Sequence, residues 1–229
     1  MNNSYYYLFE FWILQFGIYP KGFMGTLERR QREKEQRRKD IVDSARKFFF
    51  EKGFNGTTMP EIAKSLELSA GTLYLYFPSK ESLYLELLLE GYDVMIVKLR
   101  EQVRPYAAPR DQVKALTSAF FKFAEESPEY FDIIFFILQR EFGGTRQSGL
   151  EQKQLKKLEE KEERCKKIVM DALSFPDSKF LGSDLRPTVE ALWSMLAGVV
   201  FFWRKAGRAD FGKISGQAET LIMNALFMK

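Results

Sequence analysis

The chain has 229 residues, of which 45% are hydrophobic and 22 are Phe, enough to fill a packed core in one or two domains. It contains no histidine and a single cysteine, Cys165, which excludes imidazole acid–base catalysis, His-ligated zinc and an internal disulfide. Its net charge of +4 is concentrated: residues 26–80 hold 12 Lys/Arg against 8 Asp/Glu, whereas residues 81–229 hold 22 of each. A phosphate-facing surface produces that asymmetry, and so does a solvated basic face.

Residues 5–19 (YYYLFEFWILQFGIY) are nearly all apolar, too short to span a bilayer comfortably and without the flanks of a signal peptide. Pro20-Lys21-Gly22 breaks the run and Met24 follows. We expect translation to start at Met24, making residues 1–25 an atypical hydrophobic extension; a partner-docking segment and a membrane-surface anchor are the alternatives.

Residues 28–52 read as a first helix. A run of mixed charge leads into Ile41, Ala45, Phe48 and Phe49, which share one helical face to be buried. Gly53 suits a positive-φ stop. Thr58-Met59-Pro60-Glu61 has the form of a capping box, with Pro60 in the first turn where no intrahelical bond is lost. Ile62, Ala63 and Leu66 give this second helix an apolar side. After a turn at Glu67-Leu68, Ser69 can cap a third helix, Ala70 to Tyr76. Pro78 helps to end it, and Ser79 can cap a fourth that runs to about residue 104.

Beyond residue 80 there is no strand alternation and no repeat. Breakers at Pro105/Pro109, Ser127-Pro128, Gly143-Gly144, 176–183 and 207–212 separate about five further helices. The expected fold is all-α, a bundle of nine or ten helices: a helix-turn-helix domain over 26–80 and a larger helical domain over 81–229.

Two short helices joined by a tight turn and packed on a first helix form a helix-turn-helix, whose second short helix enters the major groove by its N-terminal part. Here that part is Ser69-Ala70-Gly71-Thr72. Gly71 costs helix stability and removes a side chain where backbone and phosphate must approach. Leu73 and Phe77, four apart, face inward, leaving Thr72, Tyr74 and Tyr76 outward. The bland alternative is a core hairpin with no DNA role.

Ile41, Ala45, Phe48, Phe49, Gly53, Thr57-Thr58, Ile62-Ala63, the run Ser69 to Phe77 and Ser79-Lys80-Glu81 together resemble the DNA-binding region of the TetR/AcrR family of bacterial transcriptional regulators. The resemblance implies an operator duplex as partner, with Thr58 touching phosphate and Ser69 base or phosphate. It implies that Ala70 and Thr72 approach bases and that Tyr74 and Tyr76 bond phosphates. Lys80 would add a phosphate charge, and Arg37 and Arg38 would reach the adjacent groove or backbone. Few long polar side chains lie in the reading helix, so thymine-methyl contacts and DNA shape would supply much of the specificity.

The resemblance also implies a homodimer joined by the last two helices, about 186–205 and 213–228. Leu192, Leu196, Val200, Leu221, Ile222 and Ala225 are the candidate interface; the alternative is that these helices only cover their own core. Phe120, Phe123, Phe131, Ile134, Phe135, Leu138 and Trp193 are candidates to line a pocket for a lipophilic or aromatic effector, or simply to form core. The expected protein is a cytoplasmic, effector-released repressor with no cofactor, metal, catalytic residue or stable membrane insertion. The alternative is a helical architectural DNA-binding protein without a ligand. An enzyme is disfavoured by the missing His, the absence of a G-x-S-x-G turn and of a phosphate loop. Cys165 lies among Glu162, Glu163, Arg164, Lys166 and Lys167; we expect an inert thiol, although the basic neighbours could lower its pKa.

Overall fold

The computed structural model describes residues 23–137, 152–175, 182–205 and 210–227, and every regular element among them is helical. Residues 1–22 lie outside the described residues, as does the Gly143-Gly144 breaker.

Helix α1 runs Phe23–Gly56, starting five residues before its predicted start at residue 28. Its charged first half is exposed and is supported along its own surface: Gln31 donates to Glu35 (2.6 Å), Gln36 donates to Asp40 (2.8 Å) and Arg29 pairs with Glu33 (3.5 Å). Such exposed pairs one turn apart contribute a few tenths of a kcal/mol each. Its second half buries Ile41, Ala45 and Phe49. At Gly53 the backbone turns to φ 71°, ψ 177° and the helix kinks, where the sequence predicts a stop.

Helices α2 (Met59–Ser65) and α3 (Ala70–Tyr76) follow. The capping box is formed: Glu61 N–H donates to the Thr58 hydroxyl (3.4 Å), and Thr58 N–H donates to the Glu61 carboxylate (3.0 Å). The turn between the helices is a Schellman motif, in which Leu68 N–H donates to Ala63 O (2.9 Å) and Glu67 N–H to Lys64 O (3.1 Å). Glu67 occupies its left-handed position at φ 57°, where a side chain is disfavoured. Helix α4 (Lys80–Val103) starts on a second capping box, Ser79 with Ser82, and is the most buried element.

Helix α5 (Pro109–Glu126) packs along α4. The chain then turns at Ser127 into the short α6 (Pro128–Asp132), which continues as a π-helical turn over Ile133–Ile137. Helix α7 (Gln152–Leu173) covers the other side of α4 and α5 through Leu158, Cys165, Val169, Ala172 and Leu173. Helices α8 (Arg186–Lys205) and α9 (Phe211–Phe227) close the bundle against α5 and α7. None of the described helices is long and apolar enough to cross a membrane.

Candidate nucleic-acid interface and helical domain

The leading edge of α3 is built by its cap. Ser69 Oγ accepts from Thr72 N–H (3.0 Å) and lies 2.8 Å from the Thr72 hydroxyl. Leu73 and Phe77 are buried at 0% and 1%. They anchor the helix so that Ser69, Gly71 and Tyr74 face solvent, with Ala70, Thr72 and Tyr76 half-buried. A Cβ placed on Gly71 would meet nothing nearer than Ser69 Oγ at 3.8 Å. The fold itself therefore leaves room for a side chain there. Leu75, not singled out from the sequence, is 85% exposed beside Tyr74. Its position was legible, because residue 75 lies two places from both inward anchors and so on the opposite face of the helix.

Three other candidates carry internal partners. The Thr58 hydroxyl donates to the Glu61 carboxylate (2.7 Å), and that bond, with Lys52 second, holds the Glu61 carboxyl below the usual carboxylate range. Lys80 Nζ donates to Phe54 O (2.8 Å) and Thr57 O (3.1 Å) and sits over the Phe54 ring. The buried Thr57 hydroxyl lies within donating distance of both Phe48 O (3.1 Å) and Gly53 O (2.8 Å), so carbonyls freed by the α1 kink are bound by side chains. Arg38 forks onto Glu86 (2.5 and 3.3 Å) with its guanidinium over Phe77. Arg37, its neighbour, is exposed. Lys80 and Arg38 thus tie α1 to α4.

A charged groove of about 920 Å³ runs between α1, α4 and α7. Arg46 crosses it to Glu90 (2.7 and 2.8 Å), and Lys161 of α7 pairs with Asp93 of α4. Burial lowers the Arg46 pKa, but the hydrogen bond to Glu90 and neighbouring charges outweigh it and leave the guanidinium raised.

Phe120, Phe131 and Phe135 interlock, with centroids 4.7 to 5.4 Å apart; Phe123 meets Phe131 at 6.2 Å, and Trp193 meets Phe135 edge-on at 6.2 Å. Phe120, Phe123, Phe131 and Ile134 are buried, while Leu138 lies outside the described residues. A cavity of about 20 Å³ adjoins Trp193 between Leu99, Val113 and Val169. That is about the size of one water, far below a pocket for a drug-sized ligand. Cys165 is fully buried, and burial pushes its thiol up to about 12, overriding the nearby cations.

The six candidate interface residues divide. Val200 lies in the subunit's own core at 0% exposure, and Leu196 and Ile222 are nearly as buried. Leu192 is half-buried; Leu221 and Ala225 face outward. The outward apolar face joins Met195, Phe202 and Ile214 to the candidate Leu221, 39–66% exposed, beside a groove of about 590 Å³ floored by the candidates Leu196 and Ile222. Both helices are apolar on two sides, so the sequence pattern did not separate the inner face from the outer.

An exposed short helix set by buried anchors on a helical scaffold defines a helix-turn-helix protein. Residues 41–87 match the model of "Bacterial regulatory proteins, tetR family". Over 168 residues it is 27% identical to YuxN of Bacillus subtilis (strain 168), an uncharacterised HTH-type transcriptional regulator, covering 72% of this chain and 53% of that protein. Over 97 residues it is 33% identical to the HTH-type transcriptional regulator RutR of Escherichia coli (strain K12), covering 41% and 46%. The chain spans about half the length of the curated relatives it matches. In fold it is similar to FadR of Bacillus subtilis, solved with stearoyl-CoA, at TM-score 0.61 and 21% identity over 82% of this chain and 98% of that one. It is also similar in fold to the TetR-family regulator PfmR of Thermus thermophilus, at TM-score 0.59 and 21% identity over 80% and 97%.

Proposed function

We propose that the chain is a dimeric, effector-responsive transcriptional regulator, acting as a repressor on a near-palindromic operator. The reading head is 26–80 and the effector and dimer domain 81–229. The observation that carries this reading is the leading edge of α3, anchored by Leu73 and Phe77 while Ser69, Gly71, Tyr74 and Leu75 are exposed. Gly71 has room for a Cβ, so nothing within the described residues requires a glycine there, and a close approach of the duplex would. Ala70, Thr72 and Leu75 would meet base edges and thymine methyls; Ser69, Tyr74, Tyr76 and Arg37 would meet phosphate. Thr58 and Lys80 act here chiefly by shaping the head, and any phosphate contact they make shares the groups they already hold.

Dimerisation would cover the Met195, Phe202, Ile214 and Leu221 face, since exposed apolar patches of this kind mark interaction sites. It would set two reading heads about one DNA turn apart, roughly 34–36 Å. The aromatic cluster would open for a lipophilic or aromatic effector; the similar-fold FadR was solved with stearoyl-CoA. The closed packing around Phe120, Phe131 and Phe135 favours a second reading, a DNA-binding protein without a ligand. Salt-dependent binding to duplexes from the gene's own upstream region tests the first claim, and absence of any such binding ends it. A thermal-shift screen with lipophilic compounds, followed by release from the duplex, separates the two readings.

A further inference from the structure

Three consecutive residues of α6 point to three parts of the molecule. Phe131 is fully buried in the aromatic cluster. Asp132 pairs with Arg204 at the end of α8, which also donates to Ala124 O (2.9 Å) at the end of α5. Tyr130 reaches past α4 to α1: its ring meets Phe50 edge-on, centroids 5.4 Å apart at 86°. The passage past α4 exists because residue 91 is glycine. A Cβ there would lie 3.1 Å from Tyr130 Cδ1 and 3.3 Å from Tyr130 Cβ, inside ordinary packing distance. Glu90 and Arg46, the ion pair that joins α4 to α1, lie beside Gly91 and one turn before Phe50. Burial, and after it the Glu90 carboxylate, push the Tyr130 phenol up to about 12, and its hydroxyl meets both Glu90 and Arg46.

We propose that Tyr130 is a positioning residue for the reading head. Its ring sets the angle of α1 against α4, and α1 carries α2 and α3. The segment continues directly into the π-helical turn at Ile133–Ile137, a rare geometry that occurs mostly as single turns and frequently at functional sites. Repacking of Phe131 or Phe135, or movement of Arg204 on α8, therefore moves Tyr130 and tilts α1. The consequence for DNA rests on α3 being the contacting helix; the tilt itself does not.

The test is hydrogen exchange on the full chain with Tyr130→Ala and Tyr130→Phe, alongside affinity for a duplex recovered from a random pool with the wild-type chain. Tyr130→Ala should speed exchange in residues 41–56 and 70–76 by about 5-fold or more, roughly 1 kcal/mol of local opening. Exchange in 186–205 and 211–227 should stay unchanged, and affinity should fall. Tyr130→Phe should restore both readouts, because the ring and not the hydroxyl does the positioning. Phe50→Leu, altering the same contact from α1, should reproduce the exchange pattern if Tyr130→Ala fails to fold. Uniformly faster exchange in all helices, no change in 41–56, or Tyr130→Phe behaving like Tyr130→Ala each overturns the proposal. If the wild-type chain selects no duplex, the DNA reading fails while the exchange result still decides the role of Tyr130.

Discussion

The reading head and the helical bundle behind it are held by different kinds of contact. In the head, capping and turn bonds close over three to five residues: Thr58 with Glu61, Ser69 with Thr72, Leu68 with Ala63. In the bundle, the defining contacts join residues far apart in sequence, such as Phe121 with Phe211, Arg204 with Asp132 and Phe135 with Trp193. A locally wired unit keeps its shape as it is moved, whereas a unit held by distant packing can repack. That division suits the proposed roles of a rigid reading head and a responsive domain.

The comparison breaks first at the few core side chains on which the head leans. Phe77→Ala, which removes a fully buried ring beneath Arg38, should cost about 3–5 kcal/mol in equilibrium denaturation. A cost near zero would mean that α3 does not depend on this anchor. In the bundle, Gly91→Ala should cost about 1–3 kcal/mol by overpacking against Tyr130. Trimming Tyr130 to Leu in the same chain should recover part of that loss, and strict additivity of the two changes would argue against the contact.

Thr58→Ala should cost about 1 kcal/mol by removing a cap. The Glu61 carboxyl is depressed in the folded state, first by the Thr58 hydroxyl and then by Lys52. Its stabilisation is therefore fully present above the unfolded value, about 4.3, and is lost as pH falls through the lower folded value. Acid titration of the variant should show a shallower loss in that window than the wild type; an identical profile would remove Glu61 from the cap's energetics.

Tyr74→Phe should weaken binding of any duplex by about 5-fold, one hydrogen bond's worth. Thr72→Ala should instead change base preference, and equal losses across all duplexes would deny Thr72 a reading role. The smallest effect is expected at the turn. Glu67→Gly relieves a side chain at φ 57° and should stabilise by about 0.5 kcal/mol net of the glycine's entropy. Destabilisation would show that the Glu67 side chain makes a contact worth more than the strain.

The amino-acid sequence by itself determined the head: both capping boxes' first residues, the inward pair Leu73 and Phe77, the turn at Glu67 and the break at Gly53. These features rest on bonds spanning three to five positions and on the phase of a single helix, and both can be read along the chain. Only the tertiary structure decided that Lys80 and Arg38 are spent on Phe54, Thr57 and Glu86, that Val200 turns inward while Phe202 turns outward, and that Gly91 admits Tyr130. Each of those outcomes depends on how one helix is rotated against another, and the periodicity of a single helix carries no record of its neighbour's phase.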